Sequence, residues 1–256
     1  MLKPGLNKRF INMFFAALGL CVVVWAWQGT EMDMSALLNG SANMAEMLSG
    51  FMQPDFTDWR YYVEEMVVTV QIALVGTLLA IIFSVPLGVL SADNVVPWWV
   101  YQPVRRLMDV FRAVNEMAFA MIFIAAVGLG PFAGVLALFV HTTGVLAKLF
   151  SEVVEAIDPQ PVEGIRATGA VAMEEVAFGI IPQVLPLWIS YSLYRFESNI
   201  RSAAVLGMVG AGGIGFSLSE QLRSFNFGAT AAIMLMIIVV VVIFDLLSQQ
   251  IRKRFV

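Results

Sequence analysis

The sequence predicts an all-α polytopic membrane protein with six transmembrane helices and both chain ends on the cytoplasmic side. Three observations carry that prediction. Hydrophobic residues make up 59% of the 256 residues and charged residues only 13%, against about 45–50% and about 25% in soluble domains. The apolar residues fall in long runs without the alternation of a barrel strand. Lys and Arg cluster in alternate loops, as the positive-inside rule requires. A soluble enzyme, a disordered chain and a secreted disulfide scaffold are excluded by the same composition.

The runs are 10–27, 66–90, 113–129, 132–150, 183–206 and 229–247, each close to the roughly 20 residues needed to cross a bilayer. The first follows Lys8 and Arg9 and ends in Trp25-Ala26-Trp27 without a small-x-small cleavage site, so it reads as an uncleaved anchor rather than a signal peptide. The third and fourth are separated by Gly128-Leu129-Gly130-Pro131, a turn signal. The organisation expected is an anchor and periplasmic segment at 1–64, a transmembrane domain at 65–250, and a basic cytoplasmic tail at 251–256.

With six spans, Lys3, Lys8 and Arg9, Arg105, Arg106 and Arg112, Lys148 and Arg166, and Arg252, Lys253 and Arg254 all fall inside. Arg60 and Arg223 fall outside, while Arg195 and Arg201 are left at membrane depth. The outer segment 30–60 holds Met34, Leu37, Leu38, Met44, Met47, Leu48, Phe51 and Met52 at rough helical spacing. It suits the membrane surface or a partner outside.

Little in the chain suggests catalysis. One cysteine, Cys21, and one histidine, His141, offer neither a disulfide nor a His-rich metal site. A net charge of −4 argues against nucleic acid as a partner. Gly210-Ala211-Gly212-Gly213-Ile214-Gly215 contains G-x-G-x-x-G. It follows an apolar span instead of a strand, so a dinucleotide site is discounted. No P-loop is present, since none of the lysines follows a glycine, so the chain cannot cradle ATP by that route.

The loop at 151–182 is long for a connection. Pro159 and Pro161 interrupt the chain, and the stretch from Val162 to about Ile181 reads as a polar helix that does not span. Within it lie Glu163-Gly164-Ile165-Arg166-Ala167-Thr168-Gly169-Ala170 and, thirteen residues after Gly169, Pro182. This spacing resembles the EAA motif of ABC importer permeases, with Gly164 and Ile165 in place of the two alanines. Val96 to Asp109, Gly128 to Leu138 and Tyr194 to Ala203 resemble the permease subunit of phosphonate ABC importers, from about Asp55 onward. Asn115-Glu116 replaces the Pro-Glu that the family often has there.

The resemblance implies a type I importer permease fold. It makes Glu163, Gly164, Arg166, Ala167, Gly169, Ala170 and Pro182 a coupling element that docks on a separate ATPase. Gly169 suits a close approach or a bend, and Pro182 the first turn of helix five. It further implies a second copy of the chain, two cytoplasmic ATP-binding subunits that hold ATP and Mg, a periplasmic phosphonate-binding protein, and the bacterial inner membrane. The chain itself would hold no cofactor or metal and have no catalytic residue.

Candidate residues for the path or gate are Arg195, Glu197, Asn199, Arg201 and His141, with Gly207, Gly210, Gly212, Gly213 and Gly215 near an outer gate or in a flexible turn. Charges in a span cost at least ~2.5 kcal/mol each and face a partner or an aqueous path. Glu197 and Arg201, four apart, can pair on one helix face, while Arg195 points elsewhere. A packing pair is the plainer reading; the functional one has Arg201 and Arg195 guiding an anion. His141 suits a hydrogen bond to a neighbouring helix. Glu116, at a helix end, is cheap to expose at the interface.

The function expected is the membrane subunit of an ATP-driven importer that forms, as a homodimer, the path for phosphonate or a related phosphorus oxyanion. The rivals are a permease of the same architecture for another solute, such as methionine, and an intramembrane enzyme. The second would need paired carboxylates or a Ser/His set at membrane depth. An ion-driven carrier would show internal repeats, and none is evident.

Overall fold

The computed structural model describes residues 6–30, 35 and 39–254. Lys3 and three members of the outer apolar pattern, Met34, Leu37 and Leu38, lie outside the described residues. Contacts divide the chain into two units, residues 1–49 and 50–256. The first is dominated by α1 (Leu6–Gly29). Its side chains from Ile11 to Gly29 are exposed, as an apolar helix meant for lipid or a partner would be. Helix α2 (Ser41–Phe51) follows.

The second unit is a helical bundle. Its elements are α3 (Trp59–Leu90), α4 (Trp98–Ala113), α5 (Glu116–Val127), α6 (Pro131–Glu155), α7 (Pro159–Ala167), a helical turn at Ala172–Glu174, a π-helical turn at Glu175–Ile180, α8 (Ile181–Gly207), α9 (Ile214–Arg223) and α10 (Phe227–Arg252). No strand is present among the described residues. Helices α1, α3, α6, the segment Ala172–Gly207 and α10 are each long and apolar enough to cross a membrane.

The third predicted span is corrected. Residues 113–129 do not form one helix, because α5 has only 12 residues, about 18 Å at 1.5 Å per residue. The expected loop at 91–112 is largely α4, and the two helices meet at 89°. Only together can they count as one broken span. The cause is local: Val114 and Asn115 are extended, and the Asn115 side chain accepts from the Met117 N–H as a cap. Asn at that position favours capping over a helix interior.

Helix packing explains most of the small residues. Thr69, Ala73, Gly76, Thr77, Ala80, Ser84 and Gly88 form a buried seam along α3. A Cβ on Gly76 would lie 3.0 Å from Leu138 Cβ, and one on Gly88 would lie 2.7 Å from Phe150 Cβ. Helix α6 therefore presses its large side chains against glycines of α3. Between lipid-soluble helices, such close approach replaces the hydrophobic drive available in water. Gly144 does the same for α4, whose Phe111 Cβ would be 2.7 Å from an added Cβ.

Two apolar clusters result. One gathers Met66, Ile72, Leu138, Ile200, Leu206, Ile214 and Ile233. The other holds Leu146, Phe150, Val154, Ile180, Val184 and Trp188. In the second, Trp188 stacks on Phe150 at 4.6 Å and its indole N–H reaches the Phe150 carbonyl at 3.3 Å.

Two further expectations change. The polar helix foreseen from Val162 to Ile181 is split: α7 ends at Ala167, and Gly169 adopts φ +87°. The outer loop 206–228 contains α9. The chain turns from α8 into α9 through Gly210, Gly212 and Gly213, all at positive φ. This turn is packed. The Gly210 carbonyl accepts from the Gly130 N–H at 3.0 Å, and Thr69 Oγ1 accepts from the Ile214 N–H at 2.8 Å. A Cβ on Gly215 would collide with the Ala204 carbonyl oxygen and stand 2.9 Å from Gly207 Cα. Gly215→Ala should therefore cost stability on the scale of an overpacked core, about 1–3 kcal/mol. It should lower the temperature at which detergent-solubilised protein loses its size-exclusion peak. Gly19→Ala, with nothing within 4 Å, should leave that temperature unchanged.

Candidate functional site

The EAA-like residues form a clamped lever. Helix α7 starts at Asp158, whose carboxylate accepts from the Gln160 N–H at 3.0 Å, and Pro159 follows with φ preset for the first turn. Val162 and Ile165 turn inward and would lie 3.1 and 3.3 Å from a Cβ on Gly179. Glu163, Gly164, Arg166 and Ala167 are exposed, and nothing lies within 4 Å of a Cβ at Gly164. The outer face of α7 is thus open.

Both ends of α7 are fixed to the following helix. At the start, the Gln183 amide accepts from the Asp158 N–H at 3.2 Å and donates to the Gly179 carbonyl at 2.7 Å. At the end, Arg166 Nε and Nη2 donate to the two oxygens of Glu175 at 2.9 and 2.8 Å. This bidentate contact holds the Arg166 guanidinium above its ordinary value and fixes its plane as a single ammonium contact would not. Gly169 allows the bend between the two helices through its left-handed backbone. It serves no close approach, because its surroundings are open. Ala170 lies in the same turn. Pro182 sits in the first turn of regular α8, but the chain before it stays helical. The π-helical turn precedes a residue that cannot donate to the ladder.

The path candidates Arg195, Glu197, Asn199 and Arg201 fall on α8 at two kinds of site. Asn199 is fully buried. Its amide donates to Thr77 Oγ1 at 2.8 Å and to Thr142 Oγ1 at 3.0 Å, and Arg195 Nη2 reaches its oxygen at 3.4 Å. This polar layer ties α3, α6 and α8 together between the two apolar clusters. Arg195 Nε is buried without a partner. Glu197 pairs with Arg201 at 2.9 Å and with Arg252, the last residue of α10, at 3.8 Å. Arg195 is not part of that pair.

Arg201 is different from its neighbours because its side chain is 49% exposed. It borders a cleft of about 350 Å³ with Asn115, Glu116, Ser198 and Ser202. Glu116, expected merely at an interface end, has its carboxylate turned into the bundle. It accepts from the Ser202 hydroxyl at 2.8 Å and lies 3.5 Å from His141 Nε2. His141 Nδ1 lies 3.0 Å from the Val114 carbonyl, in the break between α4 and α5. The glycines Gly207, Gly210, Gly212, Gly213 and Gly215 lie in the packed turn, away from this cleft's lining. Sequence reading missed Thr77, Thr142, Ser198 and Ser202, whose signal is a small hydroxyl inside an apolar run. Among the described residues no group of three or more His, Cys, Asp or Glu could hold a metal.

Comparison with known proteins decides the class of this molecule. Residues 84–256 match the family described as binding-protein-dependent transport system inner membrane component. The chain belongs to this family. It is a transport permease subunit and not an enzyme. Over 235 residues it is 38% identical to a phosphite transport system permease protein, PtxC, of Stutzerimonas stutzeri, covering 91% of this chain and 86% of that protein. Over 121 residues it is 66% identical to a putative cryptic phosphonate transport system permease protein, PhnE2, of Escherichia coli K12, covering 47% of this chain and 99% of that one. The fold is that of type I ABC importer permeases. A chain of the inward-facing MetNI methionine ABC transporter superposes with TM-score 0.69 over 76% of this permease and 96% of that chain, at 19% identity.

The buried amide layer should be sensitive. Asn199→Leu would leave the Thr142 hydroxyl without its partner, at about 1–3 kcal/mol for an unsatisfied group, while Thr77 keeps its bond to the Ala73 carbonyl. A lowered unfolding temperature of the purified permease, without loss of membrane insertion, is the expected result.

Proposed function

We propose that two copies of this chain form the translocation path of an ATP-driven importer for phosphonate or phosphite in a bacterial inner membrane. Two ATP-binding subunits, which would hold ATP and Mg, dock on α7 from the cytoplasm. A periplasmic binding protein delivers the oxyanion from outside. The observation that carries this reading is α7 itself, a helix with an open outer face, clamped at both ends to the segment that runs on into α8. Such an element transmits force and has no evident use in an isolated permease.

The path is supported by Arg201. A half-exposed guanidinium beside serines on a membrane helix is costly against lipid. It suits a polar surface shared with a second copy. Glu197 is also held by Arg252, so Arg201 is not needed solely to neutralise it. The free part of the guanidinium is suited to an oxyanion. The glycine turn from Gly207 to Gly215 serves as a gate in the same scheme, and Arg195, Asn199 and His141 back the path. The two relatives named above point to phosphite and phosphonate. The likeness to the methionine transporter carries the fold alone, although a permease for another solute remains the competing assignment.

Proteoliposomes containing the permease, its ATPase and the binding protein should accumulate phosphite only with ATP inside the ATPase compartment. Accumulation without the ATPase would refute the assignment. Gly164→Trp, which fills the open face of α7, should abolish phosphite-stimulated ATPase activity while membrane insertion persists. Gly169→Val, strained at φ +87°, should lower the same stimulation several-fold. Arg201→Ala should cut uptake about tenfold with ATPase docking retained, since loss of a charged hydrogen bond is worth about 1.5–3 kcal/mol.

A further inference from the structure

The cleft beside Arg201 has a composition that a simple anion path does not need. A path for any anion is served by cations and hydroxyl donors. This cleft also presents a carboxylate. Glu116 lies on its wall, facing Ser202 across the α5–α8 boundary. On the opposing side stand Arg201, bonded through one nitrogen to Glu197, and Ser198. The start of α5 closes the cleft at Asn115, and the positive end of that 12-residue helix points the same way.

The hydrogen-bond inventory then restricts the ligand. Arg201 has donors beyond the one used on Glu197, and an arginine accepts nothing. An ionised Glu116 donates nothing; Ser202 donates to one of its oxygens at 2.8 Å and His141 Nε2 lies 3.5 Å from the other, and the remaining lone pairs can accept from a ligand. Ser202 already gives its proton to Glu116, so toward a ligand it acts as an acceptor. An occupant that engages both Arg201 and Glu116 therefore combines charged oxygens with at least one hydroxyl. Singly protonated phosphonate, phosphite and phosphate have both. Sulfate at neutral pH has only acceptors and would set an oxygen against the Glu116 carboxylate. A lipid phosphodiester has no P–OH group, although a glycerol headgroup brings hydroxyls of its own.

We infer that the cleft between α5 and α8 is a subsite for a protonated phosphorus oxyanion, with Arg201 and Ser198 holding its charged oxygens and Glu116 accepting from its P–OH group. The inference rests on the proposed function for the class of solute. It adds selection within the permease by the proton that the solute carries. Glu116 is then a specificity-determining residue: it turns away oxyanions without a proton to offer.

The test uses purified permease in phosphatidylcholine nanodiscs and inorganic phosphite observed by phosphorus NMR. Phosphite should broaden with the wild-type protein, and sulfate should fail to reverse the broadening. Arg201→Ala should abolish it, and Ser198→Ala should weaken it without disturbing any hydrogen bond within the permease. Glu116→Gln keeps an acceptor for Ser202 and adds donors. In that variant the sulfate concentration that halves the broadening should fall about tenfold, the value of one charged hydrogen bond. Equal sulfate competition in wild type and Glu116→Gln would overturn the proposal, as would the absence of broadening with wild type. Loss of broadening when phosphatidylglycerol replaces phosphatidylcholine would assign the cleft to a lipid headgroup and overturn it too. ATP-driven phosphite uptake is scored separately. Uptake with no change in competition removes the subsite and leaves the transport function. The competition pattern without uptake does the reverse.

Discussion

A push on α7 would reach the bundle only because α7 cannot hinge freely on the helix that follows it. Arg166 grips both oxygens of Glu175, and Gln183 bridges Asp158 to the Gly179 carbonyl. Each contact is a surface contact of modest worth on its own. Their value is geometric, since they act at opposite ends of a nine-residue helix. Two fixed points and the Val162–Ile165 face leave little rotational freedom. Beyond them the chain stays helical from Ala172 to Gly207, 36 residues or about 54 Å. The π-helical turn absorbs Pro182 without a break, so the element that would meet the ATPase is mechanically continuous with the helix that carries Asn199 and Arg201.

The interior that such motion would act upon is unusual in its layering. Two dry clusters are separated by the Thr77–Asn199–Thr142 layer, whose members reside on three different helices. A polar layer at this depth is stable only when its groups are satisfied. It therefore fixes the register of α8 against α3 and α6 more sharply than the apolar clusters, which tolerate sliding. Small residues allow the layer to form. Gly76 and Gly88 bring α3 and α6 close enough for Thr77 and Thr142 to reach the same Asn199.

The long helices, the turn at Gly128 to Pro131 and the EAA-like spacing were legible in the sequence because each has a local cause. Apolar length fixes a span, Gly-Pro fixes a turn, and a Glu–Gly–Pro spacing reflects a fixed local geometry. The α4–α5 break was not legible in that way. Residues 113–129 carry enough apolar side chains to read as a crossing, and the signal that ends α4 is only Asn115 acting as a cap. The split of the coupling segment at Gly169 was half visible: the glycine was singled out, but its role as a bend alone required the backbone. The pairing of Glu197 with Arg201 followed from their spacing. Its second partner, Arg252, did not, because it comes from a helix about fifty residues later. The Glu116–Ser202 contact was hidden for the same reason: neither residue is distinctive until tertiary packing brings them together.

The break that the sequence concealed also joins the lever to the cleft. Because α4 turns by 89° into α5, the first residue of α5 faces the interior. Without the turn, Glu116 would lie within one long helix rather than at the head of a new one. Its contact with Ser202 is 2.8 Å, a distance that tolerates only a few tenths of an ångström before the bond weakens. Ser202 rides on α8 and Glu116 on α5, which belong to different arms of the bundle. A shift of α8 driven from α7 would strain this contact and move Arg201 and Ser198 together, since they share the helix face with Ser202. The cleft would change its shape and its donor arrangement in one step. Binding and release of an oxyanion there would follow the lever directly, with no moving loop in between.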